Sequence, residues 1–192
     1  MQDLRTFVAI DLGENLAQGL AALERQLRGL PGANGVRWVA VGNIHLTLKF
    51  MGNIPQGRVD ELGEAVATAA ARTGGLELYA NGVGCFPDAR RPRVVWVGLT
   101  GDVSRLSALA SRIENALAAK GIPREDRGFT PHLTLGRVKR EATTIERAKL
   151  GEAIKNLPPG EYGVIRADAV RFIKSDLRSE GPIYTTLRTI SL

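Results

Sequence analysis

An identical tetrapeptide occurs twice in this chain, and its repetition constrains the fold more than any other feature. The sequence His-Leu-Thr-Leu stands at residues 45–48 and again at 132–135, an offset of 87 residues. The same offset aligns residues 7–10 with 94–97 and residues 78–83 with 165–170, all of which we expect to be strands. The chain is therefore predicted to contain two similar units.

Each unit reads as strand, helix, strand, helix, strand, with the tetrapeptide on the middle strand. Apolar residues at helical spacing and the flanking caps and breakers support the helices, with Asp102 and Thr143 or Thr144 as candidate N-caps. Two such units can bury their apolar sheet faces by packing as two lobes around a pseudo-twofold axis. The predicted helices are at about 16–30, 55–72, 103–117 and 143–157, with a last strand near 183–190.

The length of 192 residues suits one bilobal domain spanning 1–192, with repeat units at about 5–83 and 92–170 joined by a short segment, 84–93. The single cysteine, Cys85, excludes an intrachain disulfide and indicates a reducing compartment, so we expect a cytoplasmic protein. We expect no membrane association, because no apolar run approaches the ~20 residues of a membrane span.

The chain is basic, with 26 Lys and Arg against 20 Asp and Glu and a net charge of +6. Arg90, Arg91 and Arg93 form a local cluster in this excess. Such a surplus attracts polyanions, although a charge of this size also serves solubility alone.

The tetrapeptide places an imidazole and a hydroxyl side by side, because residues two apart on a strand share a face. His45 and Thr47 therefore point one way, as do His132 and Thr134, while the leucines point into the core. The hydroxyl can donate to a phosphate oxygen, and the imidazole can act as acid or base near neutral pH. The chain has only two histidines and both precede Leu-Thr-Leu, which predicts that they share one active site.

Two other interpretations of the histidines are weaker. A duplicated strand could retain the motif for structural reasons alone. A zinc site usually takes three or four ligands, yet neither His45 nor His132 has a His, Cys or carboxylate two to four residues away. The chain also has no Gly-x-Ser-x-Gly motif, no P-loop and no dinucleotide-binding glycine pattern, so we expect no cofactor and no metal.

The two motifs and their flanks resemble the 2H phosphoesterase superfamily, and most closely its RNA 2′,3′-cyclic phosphodiesterases, once described as 2′–5′ RNA ligases. The resemblance covers essentially the whole chain and implies an α+β fold of two antiparallel-rich sheets, with outer helices around a pseudo-twofold cleft. The stretches that carry it are 5–12, 36–39, 43–50, 86–97, 129–137 and 181–184.

The resemblance implies an enzyme that hydrolyses RNA 2′,3′-cyclic phosphate ends to 2′-phosphomonoesters, without metal or cofactor. We expect the protein to be a monomer. The resemblance assigns His45 as the proton donor to the leaving 3′-oxygen and His132 as the proton acceptor that activates water. It assigns Thr47 and Thr134 to the phosphate oxygens. The residues themselves leave open which histidine takes which role, because the two motifs are identical.

The residues five positions after each histidine, Phe50 and Arg137, differ between the motifs. The resemblance places both beside the substrate, where Phe50 would stack on a base and Arg137 would pair with phosphate. Strand alternation puts them on the opposite face from the histidines, so they reach the site only if the strand ends or bulges. Otherwise Phe50 belongs to the core and Arg137 is a surface charge.

Two other functions remain open on the sequence. The same groups could carry out reversible 2′–5′ RNA ligation or hydrolyse another cyclic phosphate, such as that of ADP-ribose. A non-catalytic RNA-binding module would use the basic charge alone, but it would not need two imidazole and hydroxyl pairs.

Overall fold

The computed structural model describes residues 3–126, 128–179 and 181–192. Its helices and strands follow one another with three short 3₁₀ turns, at 33–35, 41–43 and 56–58. The elements are β1 (Asp3–Ile10), α1 (Glu14–Arg28), β2 (Val36–Trp38), β3 (Leu46–Pro55), α2 (Val59–Ala70), β4 (Leu76–Phe86), β5 (Val94–Gly101), α3 (Val103–Ala119), β6 (His132–Val138), α4 (Thr144–Lys155), β7 (Glu161–Ala167), β8 (Ala169–Arg178) and β9 (Gly181–Ser191).

The strands form two antiparallel sheets, which confirms the predicted α+β class. The four-stranded sheet has the order β3-β1-β8-β9, and the five-stranded sheet has the order β2-β6-β5-β4-β7. Each tetrapeptide strand lies beside the first strand of its own unit: β3 pairs with β1, and β6 pairs with β5.

Each sheet nevertheless contains strands from both halves of the chain, so the expectation that each half forms its own lobe is wrong. Strand β4, from the first half, pairs with β5, and β8, from the second half, pairs with β1. The exchange follows from the short connection at 87–93, which turns β4 back along β5 because strands adjacent in sequence usually pair. The offset of 87 persists in the pairing, since Phe172 lies opposite Val8 as Cys85 lies opposite Val95.

Some local predictions are also corrected. Residues 165–170 are not one strand, because Asp168 separates β7 from β8. Asp102 does not cap α3 with its side chain; its Oδ2 instead accepts from the Glu77 amide at 2.9 Å. Thr143 does cap α4, because its hydroxyl accepts from the Glu146 amide at 3.2 Å and the Glu146 carboxylate accepts from the Thr143 amide.

The helices cover one face of the sheets and leave the opposite face to the site. On β1, Val8 and Ile10 belong to the main core with the helices, whereas Phe7 and Ala9 form a small separate cluster with Ile173. Each fully buried leucine contributes roughly 2 kcal/mol of hydrophobic stabilisation. Those of α1 and α3 recur at the spacing that predicted the helices: Leu16, Leu20, Leu23, Leu27, Leu106, Leu109 and Leu117. Within the described ranges, no helix is long and apolar enough to cross a membrane.

Candidate active site

The two motifs occupy equivalent positions on the two sheets. His45 directly precedes β3, and His132 is the first residue of β6. The leucines at 46, 48, 133 and 135 are buried, whereas His45, Thr47, His132 and Thr134 are half-buried. The predicted division between a core face and an open face therefore holds at both motifs.

A β-bulge at the same position of each motif brings Phe50 and Arg137 to the histidine face. Between Thr47, opposite Ala9, and Lys49, opposite Val8, the residue Leu48 has no partner of its own. Leu135 is bypassed in the same way on β6, between the pairs of Thr134 and Gly136. Because one extra residue reverses the alternation, the condition under which Phe50 and Arg137 can reach the site is met.

All six residues assigned from the sequence line one cleft of about 1410 Å³. The cleft is bounded by residues of both sheets, by α3 and by the β8–β9 hairpin, and β3 approaches β6 at its floor. Phe50 is 52% exposed there, with its ring 5.9 Å from that of Phe7. The six residues are His45, Thr47, Phe50, His132, Thr134 and Arg137.

Both imidazoles are oriented by the backbone two residues earlier. Nδ1 of His45 lies 3.1 Å from the Asn43 carbonyl oxygen, and Nδ1 of His132 lies 2.7 Å from the Thr130 carbonyl oxygen. A carbonyl oxygen only accepts, so each Nδ1 donates when these bonds form. Nε2 is then the nitrogen of each ring that can take up or release a proton.

The surroundings of the two histidines differ. Nε2 of His45 lies 3.9 Å from the Asp11 carboxylate, which also accepts from Arg171 Nε at 2.9 Å. His132 instead meets the ring of Phe86 edge to face, with centroids 5.0 Å apart. The two motifs are thus identical in sequence but differ in their surroundings: a carboxylate lies near His45, and an aromatic ring lies against His132.

Tyr184 of β9 is a cleft residue whose contact with His45 the sequence patterns did not predict. Its ring meets His45 edge to face with centroids 5.1 Å apart. Burial raises the pKa of its phenol, and the nearby positive charges of Arg137 and Arg5 act in the opposite direction. The phenol therefore stays protonated at neutral pH and can donate into the cleft. In the sequence, only the family resemblance of residues 181–184 had indicated that this segment matters.

Lys49 is a second residue that sequence reasoning missed. It is 2% exposed, and its Nζ donates to Glu114 Oε1 at 3.0 Å and to the Pro123 carbonyl at 2.7 Å. The same Glu114 carboxylate accepts from the Glu125 amide at 3.0 Å. This network connects the first motif strand to α3 and to the loop that leads to His132. The residue that corresponds to Lys49 in the second motif is Gly136, so the repeat did not indicate that position 49 is important.

The arginine cluster at 90, 91 and 93 does not line the cleft. It lies on the β4–β5 connection, where the amides of Arg90 and Arg91 both donate to Asp88 Oδ1. Its contact with RNA stays a prediction. In the part of the chain that the structure describes, no three His, Cys, Asp or Glu side chains are grouped as metal ligands.

A protein-family comparison agrees with the repeat. The model of the "LigT like Phosphoesterase" family matches residues 10–96 and, a second time, residues 97–184. The chain belongs to this family. The resemblance drawn from the two motifs is thereby confirmed at the level of the family.

Individual relatives match over nearly the full chain. An RNA 2′,3′-cyclic phosphodiesterase of Methanothermobacter thermautotrophicus is 32% identical over 98% of this chain and 99% of its own length. One from Thermotoga maritima is 33% identical over 96% of this chain and 93% of its own. The crystal structure of Escherichia coli LigT with 3′-AMP superposes with a TM-score of 0.79 at 25% identity, covering 100% of this chain and 99% of LigT. This similarity supports the two-lobed duplicated fold.

Proposed function

We propose that this protein is a hydrolase that opens RNA 2′,3′-cyclic phosphate ends to 2′-phosphomonoesters. The observation that carries the proposal is the pair of imidazoles, each held through Nδ1 by a backbone carbonyl, in one cleft with two hydroxyls. The curated relatives named above are RNA 2′,3′-cyclic phosphodiesterases, which supports the same substrate class.

In the proposed reaction, Nε2 of His132 takes a proton from water as the water oxygen bonds to phosphorus. The bond from phosphorus to the 3′-oxygen breaks, and Nε2 of His45 gives that oxygen its proton. One water is consumed: its hydroxyl stays on phosphorus, and the 3′-oxygen gains a hydrogen. Entering and leaving oxygens lie on opposite sides of phosphorus, which suits an acid and a base on opposing strands.

The remaining cleft residues hold the substrate in this proposal. The hydroxyls of Thr47 and Thr134 donate to the non-bridging phosphate oxygens, and Arg137 adds positive charge where negative charge develops. Phe50, half-exposed at the bulge, offers a ring on which a base can stack. Neither a metal nor a cofactor takes part.

Reversible 2′–5′ ligation is the alternative closest to this reaction. The same acid and base serve it when a ribose hydroxyl replaces water, so the chemistry alone does not separate the two. A non-catalytic RNA-binding module accounts less well for two oriented imidazoles. We further propose that residues 1–192 act as one monomeric domain in the cytoplasm, with RNA ends as substrate.

The proposal is tested with an oligoribonucleotide that carries a 2′,3′-cyclic phosphate, incubated with the protein in EDTA. Phosphorus NMR should show conversion to a single 2′-phosphomonoester, at a rate unchanged by added Mg²⁺. A His45→Ala/His132→Ala double variant controls for contaminating nucleases. A 3′-phosphomonoester product, activity lost in EDTA, or equal turnover by the double variant would contradict the proposal.

A further inference from the structure

Two arginines face each other directly across neighbouring strands of the cleft. Arg37 of β2 is the register partner of Arg137 of β6, so the two side chains leave the same face of the sheet. Both are exposed and both line the cleft. Like charges in directly opposed positions destabilise a sheet.

No carboxylate offsets this repulsion within the described residues. Neither Arg37 nor Arg137 has an acidic side chain at ion-pair distance there. The acidic side chains that line the cleft, Glu114 and Glu125, instead face the buried ammonium of Lys49. The arginine pair therefore leaves net positive charge at this end of the cleft, which an anionic ligand would neutralise.

The position of the pair relative to the histidines indicates which anion it takes. Arg137 follows His132 on the same strand. Its positive charge acts to lower the pKa of Tyr184, the residue whose ring contacts His45. Arg37 lies one strand further out, at the sheet edge formed by β2. Neighbouring strands lie about 4.8 Å apart, so the backbone of Arg37 lies about one strand spacing beyond that of Arg137, on the side away from β5.

We propose that Arg37, across from Arg137, binds the phosphodiester that precedes the terminal nucleotide. This inference rests on the proposed function. A 2′,3′-cyclic phosphate is the last group of an RNA chain, so any other phosphate in the cleft must lie on its 5′ side. A planar guanidinium can hold two oxygens of one phosphate. The protein would thereby select RNA ends over free cyclic mononucleotides.

The test compares two diribonucleotides ending in a 2′,3′-cyclic phosphate, one with a natural internal phosphodiester and one with an uncharged methylphosphonate linkage. The measured quantity is the ratio of their kcat/KM values. We expect a ratio of about 10 for the wild type, the size of one charge-assisted contact at a solvent-exposed site. Arg37→Ala and Arg37→Gln should each reduce the ratio to near one. Arg140→Ala is the matched control, because it removes an exposed arginine of the same lobe outside the cleft, and it should keep the wild-type ratio.

The outcomes separate the inference from the proposed function. Equal turnover of both dinucleotides by the wild type, or a ratio that Arg37→Ala leaves unchanged, overturns the role of Arg37 while hydrolysis itself stands. A ratio that falls equally in Arg140→Ala overturns it also, because net charge would then explain the preference. If the wild type hydrolyses neither dinucleotide, the proposed function fails, and the inference fails with it.

Discussion

Asp11 lies 3.9 Å from Nε2 of His45, whereas Gly98 holds the equivalent position beside His132. Asp11 and Gly98 are 87 residues apart, which is the offset between the two repeat units. The identical tetrapeptides therefore differ in charge only through their neighbours. The carboxylate beside His45 therefore distinguishes the surroundings of the two histidines, whose motifs are the same.

Asp11→Asn should lower kcat about 5-fold, because it removes a negative charge that lies 3.9 Å from the imidazole that gives up the proton in the proposed reaction. The same substitution should have no further effect in a His45→Ala background, since the charge then has no imidazole to act on. Double-mutant kinetics measure this coupling. An exposed carboxylate on α2 serves as control, with Asp60→Asn leaving kcat unchanged. Equal losses from Asp11→Asn in both backgrounds would show that Asp11 acts independently of His45.

Lys49→Ala should lower the free energy of unfolding by about 3 kcal/mol, the lower end of the cost of breaking a buried ion pair. The substitution leaves the Glu114 carboxylate without the ammonium that neutralises it, with the Glu125 amide as its remaining donor, and takes the Lys49 donor from the Pro123 carbonyl. Denaturant titration measures the change. Lys49→Met/Glu114→Gln should cost less, because it removes both charges together. Stability within 0.5 kcal/mol of wild type for Lys49→Ala would contradict the structural role given to this network.

Cys85 should react slowly with iodoacetamide in the folded protein. Burial raises the pKa of its thiol to about 11, above the usual value of 9.0. At pH 8 the reactive thiolate is thereby reduced about 100-fold. The labelling rate should be about 100-fold higher in protein unfolded by urea. Cys85→Ser, which has no thiol, measures the background labelling. Equal rates in folded and unfolded protein would contradict the burial of this side chain.

The sequence predicted what short-range patterns determine. Strand alternation placed His45 and Thr47 on an open face and the leucines in the core. Helical spacing located α1 and α3, and caps and helix breakers located α2 and α4. The exchange of β4 and β8 between sheets was not predictable in this way, because equal repeats fit equally well with or without it. The only sequence feature that indicated the exchange is the short 87–93 connection, which turns β4 back along β5.

The rest of the cleft depends on contacts between distant residues. The bulges at Leu48 and Leu135 follow from pairing with β1 and β5, which no local pattern encodes. Asp11 and Tyr184 reach His45 only through the sheet order, since β9 joins this sheet through β8. Lys49 is a charged residue in a strand, and its burial depends on Glu114 of α3.

The most direct test of the two-histidine account is the single-turnover rate of His45→Ala and His132→Ala on a dinucleotide 2′,3′-cyclic phosphate. Each variant should be slower than wild type by at least ~10²-fold, the scale of general acid–base catalysis. Circular dichroism should be unchanged, because both imidazoles lie on the open face of their strands. A near-wild-type rate for either variant with an intact fold would contradict the account.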